Sequence, residues 1–297
     1  MAVDPDWLPE AVADLGSHES YTLPGGRHVS YARFGDEDGR PVLVCHGTPG
    51  SRWFGAVFHD VALEMGIQVV AIERPGIGRS SPDAQRAIGN WSEDVVAVAE
   101  HNGWDRLPVV GFSGGAPYAL DCAGGSGSFA PAVALVAPLG PPAGPGGTVL
   151  ERLMGRMAVH TPGLLERLFS VFARSARDDP PRDVAESLTS EPILDDPLAG
   201  TGTVAEVLAA DVLGAFERTT EGVVREFALA SRPWSFDLES IEVPVYCWHG
   251  VDDENVPVAA SRYLCERLPD CTCRQLDGED HASTLVRNRR HVLEAVT

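Results

Sequence analysis

The chain contains no lysine. All 23 of its basic residues other than histidine are arginine, set against 43 aspartates and glutamates, and the formal charge is −20. A field of that sign disfavours nucleic acid and anionic lipid surfaces as partners. Dense carboxylates over an ordinary apolar content of 44% fit a protein working at high salt. They fit equally a genome that favours arginine and leaves its surface acids incidental. Long apolar runs are also missing: none reaches the roughly 18 residues that suggest a membrane helix. The opening "MAVDPDWLPE" has neither the positive flank nor the apolar centre of a secretion signal. The expectation is a soluble, cytoplasmic protein. Cysteine is sparse, with six in 297 residues, which is no dense secreted framework. Cys45, Cys122 and Cys247 sit in or beside apolar segments and are expected to be small buried side chains. Cys271 and Cys273, in "CTC", share a face if that segment is a strand, but no matching cysteine and histidine array accompanies them. Neither a metal nor an organic cofactor is expected.

What is present is an alternation of short apolar runs with helical patterns. "HVSYARFG", "PVLVCHG", "IQVVAIERPG", "LPVVGFSGG" and "PAVALVAPLG" read as strands. Between them, Trp53 to Met65, "NWSEDVVAVAEHNG" and "APYALDCAG" read as helices. This is the punctuation of a parallel α/β sheet. From about Gly140 the units break at "PPAGPGG", and four helical candidates follow: Leu150 to Met157, Leu164 to Ser175, Val204 to Phe216 and Thr220 to Leu229. Strand and helix signals resume with "VPVYCWHGVDD", Ala259 to Arg267, "TCRQL" and a helix after His281. The expected organisation is a core over 1–139 and 237–297 interrupted by a helical insertion over 140–236.

In "VVGFSGG", Ser113 follows a valine-rich run and precedes a helical segment. Gly111 and Gly115 relieve crowding on either side, so a strand–turn–helix can project the serine hydroxyl where the helix start favours negative charge. A serine nucleophile needs a base, and the base needs an orienting group. Downstream, "WHGVDDENVP" offers Asp252 and Asp253, and "LDGEDHAST" offers His281, each just beyond a strand-like run. Ser113, an aspartate and His281 thus fall in that order at the carboxyl edge of the sheet. Spacing does not separate Asp252 from Asp253. "CHGTPG" follows another strand and can supply the amide of Thr48, with Gly114 supplying a second, to an oxygen that becomes negative. His46 then positions that loop.

With these residues in place the chain resembles the α/β-hydrolase fold superfamily over nearly its whole length. The motifs are "HGTPG" as the oxyanion loop, "GFSGG" as the nucleophile elbow, "HGVDDENVP" as the acid region and "GEDHA" as the base region. The resemblance implies a mostly parallel sheet with helices on both faces and an inserted helical lid. It assigns Ser113, Asp253 and His281 as the catalytic triad, choosing the second of the two acids, and Thr48 and Gly114 as the oxyanion hole. "ERPGIGRSS", Glu73 to Ser81, is similar to the family's recurrent positional loop. Asp280 stands before the histidine where a glycine is common. Serine rather than aspartate as nucleophile disfavours epoxide and haloalkane chemistry.

The substrate expected is a small or medium apolar carboxylic ester cleaved through an acyl-enzyme, with water as the second reactant and no nucleic acid or membrane partner. Trp53, Phe112, Met154 and Met157 are candidate pocket residues, although the methionines could equally bury the lid. Arg152, Arg156, Arg167, Arg174 and Arg177 either meet a carboxylate or face solvent. An amide or proline-iminopeptidase reaction, carbon–carbon hydrolysis and ligand binding without turnover are the alternatives. The high-salt reading predicts a melting temperature that falls as salt is withdrawn from molar to millimolar concentration; an unchanged one, followed by calorimetry, selects the compositional reading.

Overall fold

A computed structural model describes residues 7–124, 129–144, 148–186, 192–198, 200 and 202–297. Eight strands form the central sheet: β1 (Ser17–Thr22), β2 (His28–Gly35), β3 (Arg40–Cys45), β4 (Ile67–Ile72), β5 (Val109–Phe112), β6 (Val133–Val136), β7 (Val245–Gly250) and β8 (Cys271–Leu276). Their order is β1-β2-β4-β3-β5-β6-β7-β8, with β2 antiparallel to β1 and β4 and the remaining pairs parallel. The central strands β4, β5 and β6 are buried at every position, which is why they read as unbroken apolar runs. The sequence "SHESYT" of β1 has no such signal. Its pairing with β2, reinforced by Arg33 on Glu19 at 2.9 Å, makes it a strand.

Helices cover both faces. On one side Phe34, Phe54, Phe58, Val292 and Leu293 pack together; on the other Trp91, Val95, Val98, Leu120 and Leu264 do so. The residues from Trp53 onward, expected as one helix, form a 3₁₀ segment, Arg52–Phe58, followed by α1 (His59–Met65). The other core helices are α2 (Trp91–Asn102), α3 (Ala116–Gly124), α9 (Ala259–Arg267) and α10 (His281–Val296).

Between β6 and β7 the chain inserts α4 (Val149–His160), α5 (Pro162–Ala176), α6 (Pro181–Glu186), α7 (Val204–Ala215) and α8 (Glu221–Ala230). Thr148 and Glu151 cap the start of α4 reciprocally, and Pro162 opens α5 where its missing amide hydrogen costs nothing. The segment is fastened to the core by charge as well as apolar contact. Glu226 of α8 forms ion pairs with Arg74 at 2.9 Å and with Arg86, and all three side chains are at most 4% exposed. Close approach is enforced at Gly222, where a Cβ would lie 1.9 Å from the carbonyl oxygen of Gly76. Among the described residues no helix is long and apolar enough to cross a membrane.

Removing the shared carboxylate leaves two buried guanidiniums without their counter-ion. Glu226→Ala is therefore expected to lower unfolding stability by about 3–5 kcal/mol, read as a shifted midpoint in urea titration.

Candidate active site

The turn after β5 carries Ser113 with φ 51, a left-handed conformation rare for a residue with a side chain. Its surroundings hold it there. A Cβ on Gly115 would lie 2.2 Å from the Cys45 carbonyl oxygen, one on Gly111 would lie 2.7 Å from Ala119, and Leu139 donates its amide to the Ser113 carbonyl at 3.0 Å. The loop after β3 comes up beside it. A Cβ on Gly114 would meet Thr48 Oγ1 at 2.7 Å and Thr48 N at 3.3 Å, so the two predicted amide donors belong to one tight junction. Arg74 fixes the loop by donating to the carbonyls of His46 at 2.7 Å and Gly47 at 2.8 Å.

Asp253 and His281 meet from different strands. Asp253 Oδ1 accepts the amides of Asn255 at 2.9 Å and Val256 at 2.8 Å, while Oδ2 accepts from His281 Nδ1 at 2.8 Å. Asp252 next to it is exposed. Burial works to raise the Asp253 carboxyl, but the donors His249 and His281 outweigh it and hold it well below the usual carboxylate range. His281 opens α10, whose first turn is capped by Asp280 accepting the Ser283 amide at 3.2 Å. Asp280 thus replaces the usual glycine with a helix cap. The His281 ring sits 4.8 Å from that of Phe112, the residue preceding Ser113, and with Nδ1 engaged its Nε2 is the atom left for proton transfer.

His249 carries a role the sequence did not suggest. Its Nε2 lies 3.2 Å from Asp253 Oδ2 and 2.9 Å from the Val256 carbonyl, bracing the acid loop from β7. His46, by contrast, is where the motif put it. It is buried with Nδ1 2.9 Å from the Gly47 carbonyl, and burial together with Arg74 pushes its pKa well below the ordinary value, which makes it a weak proton acceptor.

Ser113, Thr48 and Gly114 lie in the wall of a cavity of about 310 Å³. Leu139, Pro142, Phe227 and Ala230 make its apolar side, and Glu151, Arg152 and Arg156 of α4 bring charge to it. The expected pocket residues lie elsewhere. Trp53 is 2% exposed and packs on His18 at 4.2 Å in the core, because the whole 3₁₀ segment is buried. Phe112 stacks on Phe54 at 5.3 Å and backs His281. Met154 and Met157 pack against a small cluster of Ala158, Leu165, Val224 and Ala228 that joins the inserted helices. The i, i+4 spacing of the arginines signals a shared face, but it does not say that the face meets the cavity.

The profile of the alpha/beta hydrolase fold family matches residues 40–287. The chain belongs to the α/β-hydrolase fold family. This hydrolase is 26% identical over 272 residues to a non-heme chloroperoxidase of Streptomyces lividans, a match spanning 88% of this chain and 91% of that one. Its fold is shared with an esterase from Rhodococcus sp. ECU1013 at 22% identity and a TM-score of 0.65, covering 95% of this chain and all of the other. An enol-lactonase from Burkholderia xenovorans LB400 superposes with a TM-score of 0.66 at 15% identity, over 94% and 98% of the two chains.

Asp211 of α7 lies beneath the hydrolase's oxyanion loop, accepting the Ser51 amide at 2.5 Å, and burial pushes its carboxyl up to about 8. A group protonated when folded and ionised when unfolded withdraws stability as pH rises between the two pKa values, by about 1.4 kcal/mol per pH unit. Asp211→Asn keeps an acceptor for Ser51 and is expected to flatten the decline of unfolding free energy between about pH 4 and 8, measured by denaturant titration across that range.

Proposed function

We propose that the protein is a serine hydrolase that cleaves a small or medium carboxylic ester through an acyl-enzyme. The observations that support this reading are the Asp253–His281 hydrogen bond of 2.8 Å, the contact of the His281 ring with Phe112, and the left-handed conformation of Ser113, the next residue, in the wall of a cavity. In the proposed cycle His281 takes the Ser113 proton as Oγ attacks the acyl carbon, and Asp253, ionised throughout, orients the ring and stabilises the imidazolium. The amides of Thr48 and Gly114 receive the oxyanion. His281 then protonates the leaving alcohol and activates the water that releases the acid.

The cavity wall refines the substrate. Arg152 and Arg156 face the same space and have no side-chain hydrogen bond or ion pair among the described residues, in a chain with an excess of acids. Glu151 is occupied in part by the Thr148 amide at 2.8 Å and balances only one of them. The residual positive charge favours an ester that also bears a carboxylate over one that bears an amine, which a peptide-cleaving enzyme of the iminopeptidase type would need.

A panel of neutral acyl esters, monoesters of dicarboxylic acids, aryl amides and proline-start dipeptides tests both statements. Ser113→Ala is expected to lower ester turnover by roughly 10³ or more, and full retention of activity would overturn the nucleophile assignment. Replacing Arg152 and Arg156 together by alanine is expected to raise KM for the dicarboxylate monoester roughly tenfold with kcat little changed, while neutral esters are unaffected.

A further inference from the structure

Four of the six cysteines, scattered in the sequence over 247–273, are gathered at one end of the sheet. Cys247 of β7 and Cys273 of β8 are register partners across parallel strands. Cys271 is two residues before Cys273 on β8 and so lies on the same face. Cys265, in the last turns of α9, reaches that face and is disulfide-bonded to Cys271. The sulfurs of Cys247, Cys265 and Cys273 all lie within 4.8 Å of one another.

Three sulfurs at that separation, from three different elements, are close to what a tetrahedral thiolate centre requires. With Zn–S bonds of about 2.3 Å the ligand sulfurs stand roughly 3.8 Å apart. The burial is graded in a way that suits an ion needing both a dry inner side and a path inward: Cys247 is buried, Cys265 half-buried and Cys273 exposed. The fourth sulfur is held next to the group by its bond to Cys265. A C-x-x-C pair is the usual sequence signal of such a centre, and none is present here; only the strand register and α9 bring the ligands together.

We propose that Cys247, Cys265, Cys271 and Cys273 form a redox-gated site for one divalent soft or borderline cation of the zinc class. With the Cys265–Cys271 disulfide formed, the site lacks two of its thiolates. A low-molecular-weight dithiol opens it, supplying two electrons and two protons to the S–S bond and leaving as its own cyclic disulfide. The cation then binds the thiolates as their protons are released to solvent. The site is remote from Ser113 in role. It clamps the edge strand β8 and α9 to β7, the strand that leads into the Asp253 loop.

The test is a cobalt titration of the full-length protein under anaerobic conditions, before and after reduction with a phosphine that is then removed. The reduced protein is expected to take up one equivalent of Co²⁺ with thiolate-to-metal charge transfer in the near-ultraviolet and the visible bands of a tetrahedral ion, displaced by Zn²⁺. The oxidised protein should give neither. Cys273→Ser, at an exposed position, and Cys247→Ala should each abolish or reshape the spectrum, with circular dichroism verifying the fold of each. Zn²⁺ should raise the melting temperature of the reduced wild type but not of Cys273→Ser. Absence of the charge-transfer band in the reduced wild type, or its persistence unchanged in Cys273→Ser, would overturn the proposal.

Discussion

A single buried carboxylate, that of Glu226, holds the hydrolase together at its most sensitive point. It receives two guanidiniums, Arg74 and Arg86, in a region almost closed to water. Neither arginine could be buried alone, and the carboxylate could not be buried without them. Arg74 then passes the constraint on. Its guanidinium donates to the two carbonyls at the tip of the loop after β3 and lies 4.5 Å from the centre of the Tyr118 ring, on the helix that follows the elbow. One cation thus relates the oxyanion loop, the elbow helix and the inserted helices to one another. Without it the amide of Thr48 would have no fixed place relative to Ser113.

Beneath this frame the site sorts its titratable groups by surroundings rather than by residue type. Asp253 has four donors within 3.2 Å and stays charged. Asp211, equally an aspartate and more deeply buried, is satisfied chiefly by one backbone amide and holds its proton near neutrality. The histidines differ in their partners, His46 kept neutral by burial and by Arg74, His281 hydrogen-bonded to Asp253. In a chain with a charge of −20, Asp253 and Glu226 are each held by specific cationic or hydrogen-bonding partners, and Asp211 keeps its proton.

Much of this was legible in the sequence, and the reason is locality. The turn at "GFSGG", the loop "CHGTPG" and the residues flanking Asp253 and His281 each encode their geometry within a few positions through glycine, proline and capping side chains. Strands buried on both faces announce themselves by unbroken Val, Ile and Leu. What could not be read was pairing at a distance. Nothing near Arg74 points to Glu226, more than a hundred positions away, and nothing near His249 shows that its ring will reach Asp253 rather than a ligand. The pocket residues failed to emerge for a related reason. An aromatic such as Trp53 or a methionine such as Met154 carries an apolar payload that suits a core as well as a cavity, and only the packing distinguishes them. Strand β1 is the converse case, a polar segment made into a strand by the partner beside it.

The ion cluster on α8 also divides the insertion into two mechanical parts. Displacing α8 would strand a carboxylate and two guanidiniums in an apolar setting, whereas α4 is held at the small cluster of Ala158, Leu165, Val224 and Ala228, and α5 by that cluster and by a second around Ala173, Ala176 and Phe216. The two parts are therefore fixed by different forces, a buried ion network in one and apolar packing in the other. The α4–α5 hairpin, which turns at Thr161 and Pro162, brings Arg152 and Arg156 to the wall of the cavity that holds Ser113. The charge at the cavity wall is thus carried by a helix held through apolar packing, while α8 is anchored to the core through buried charge.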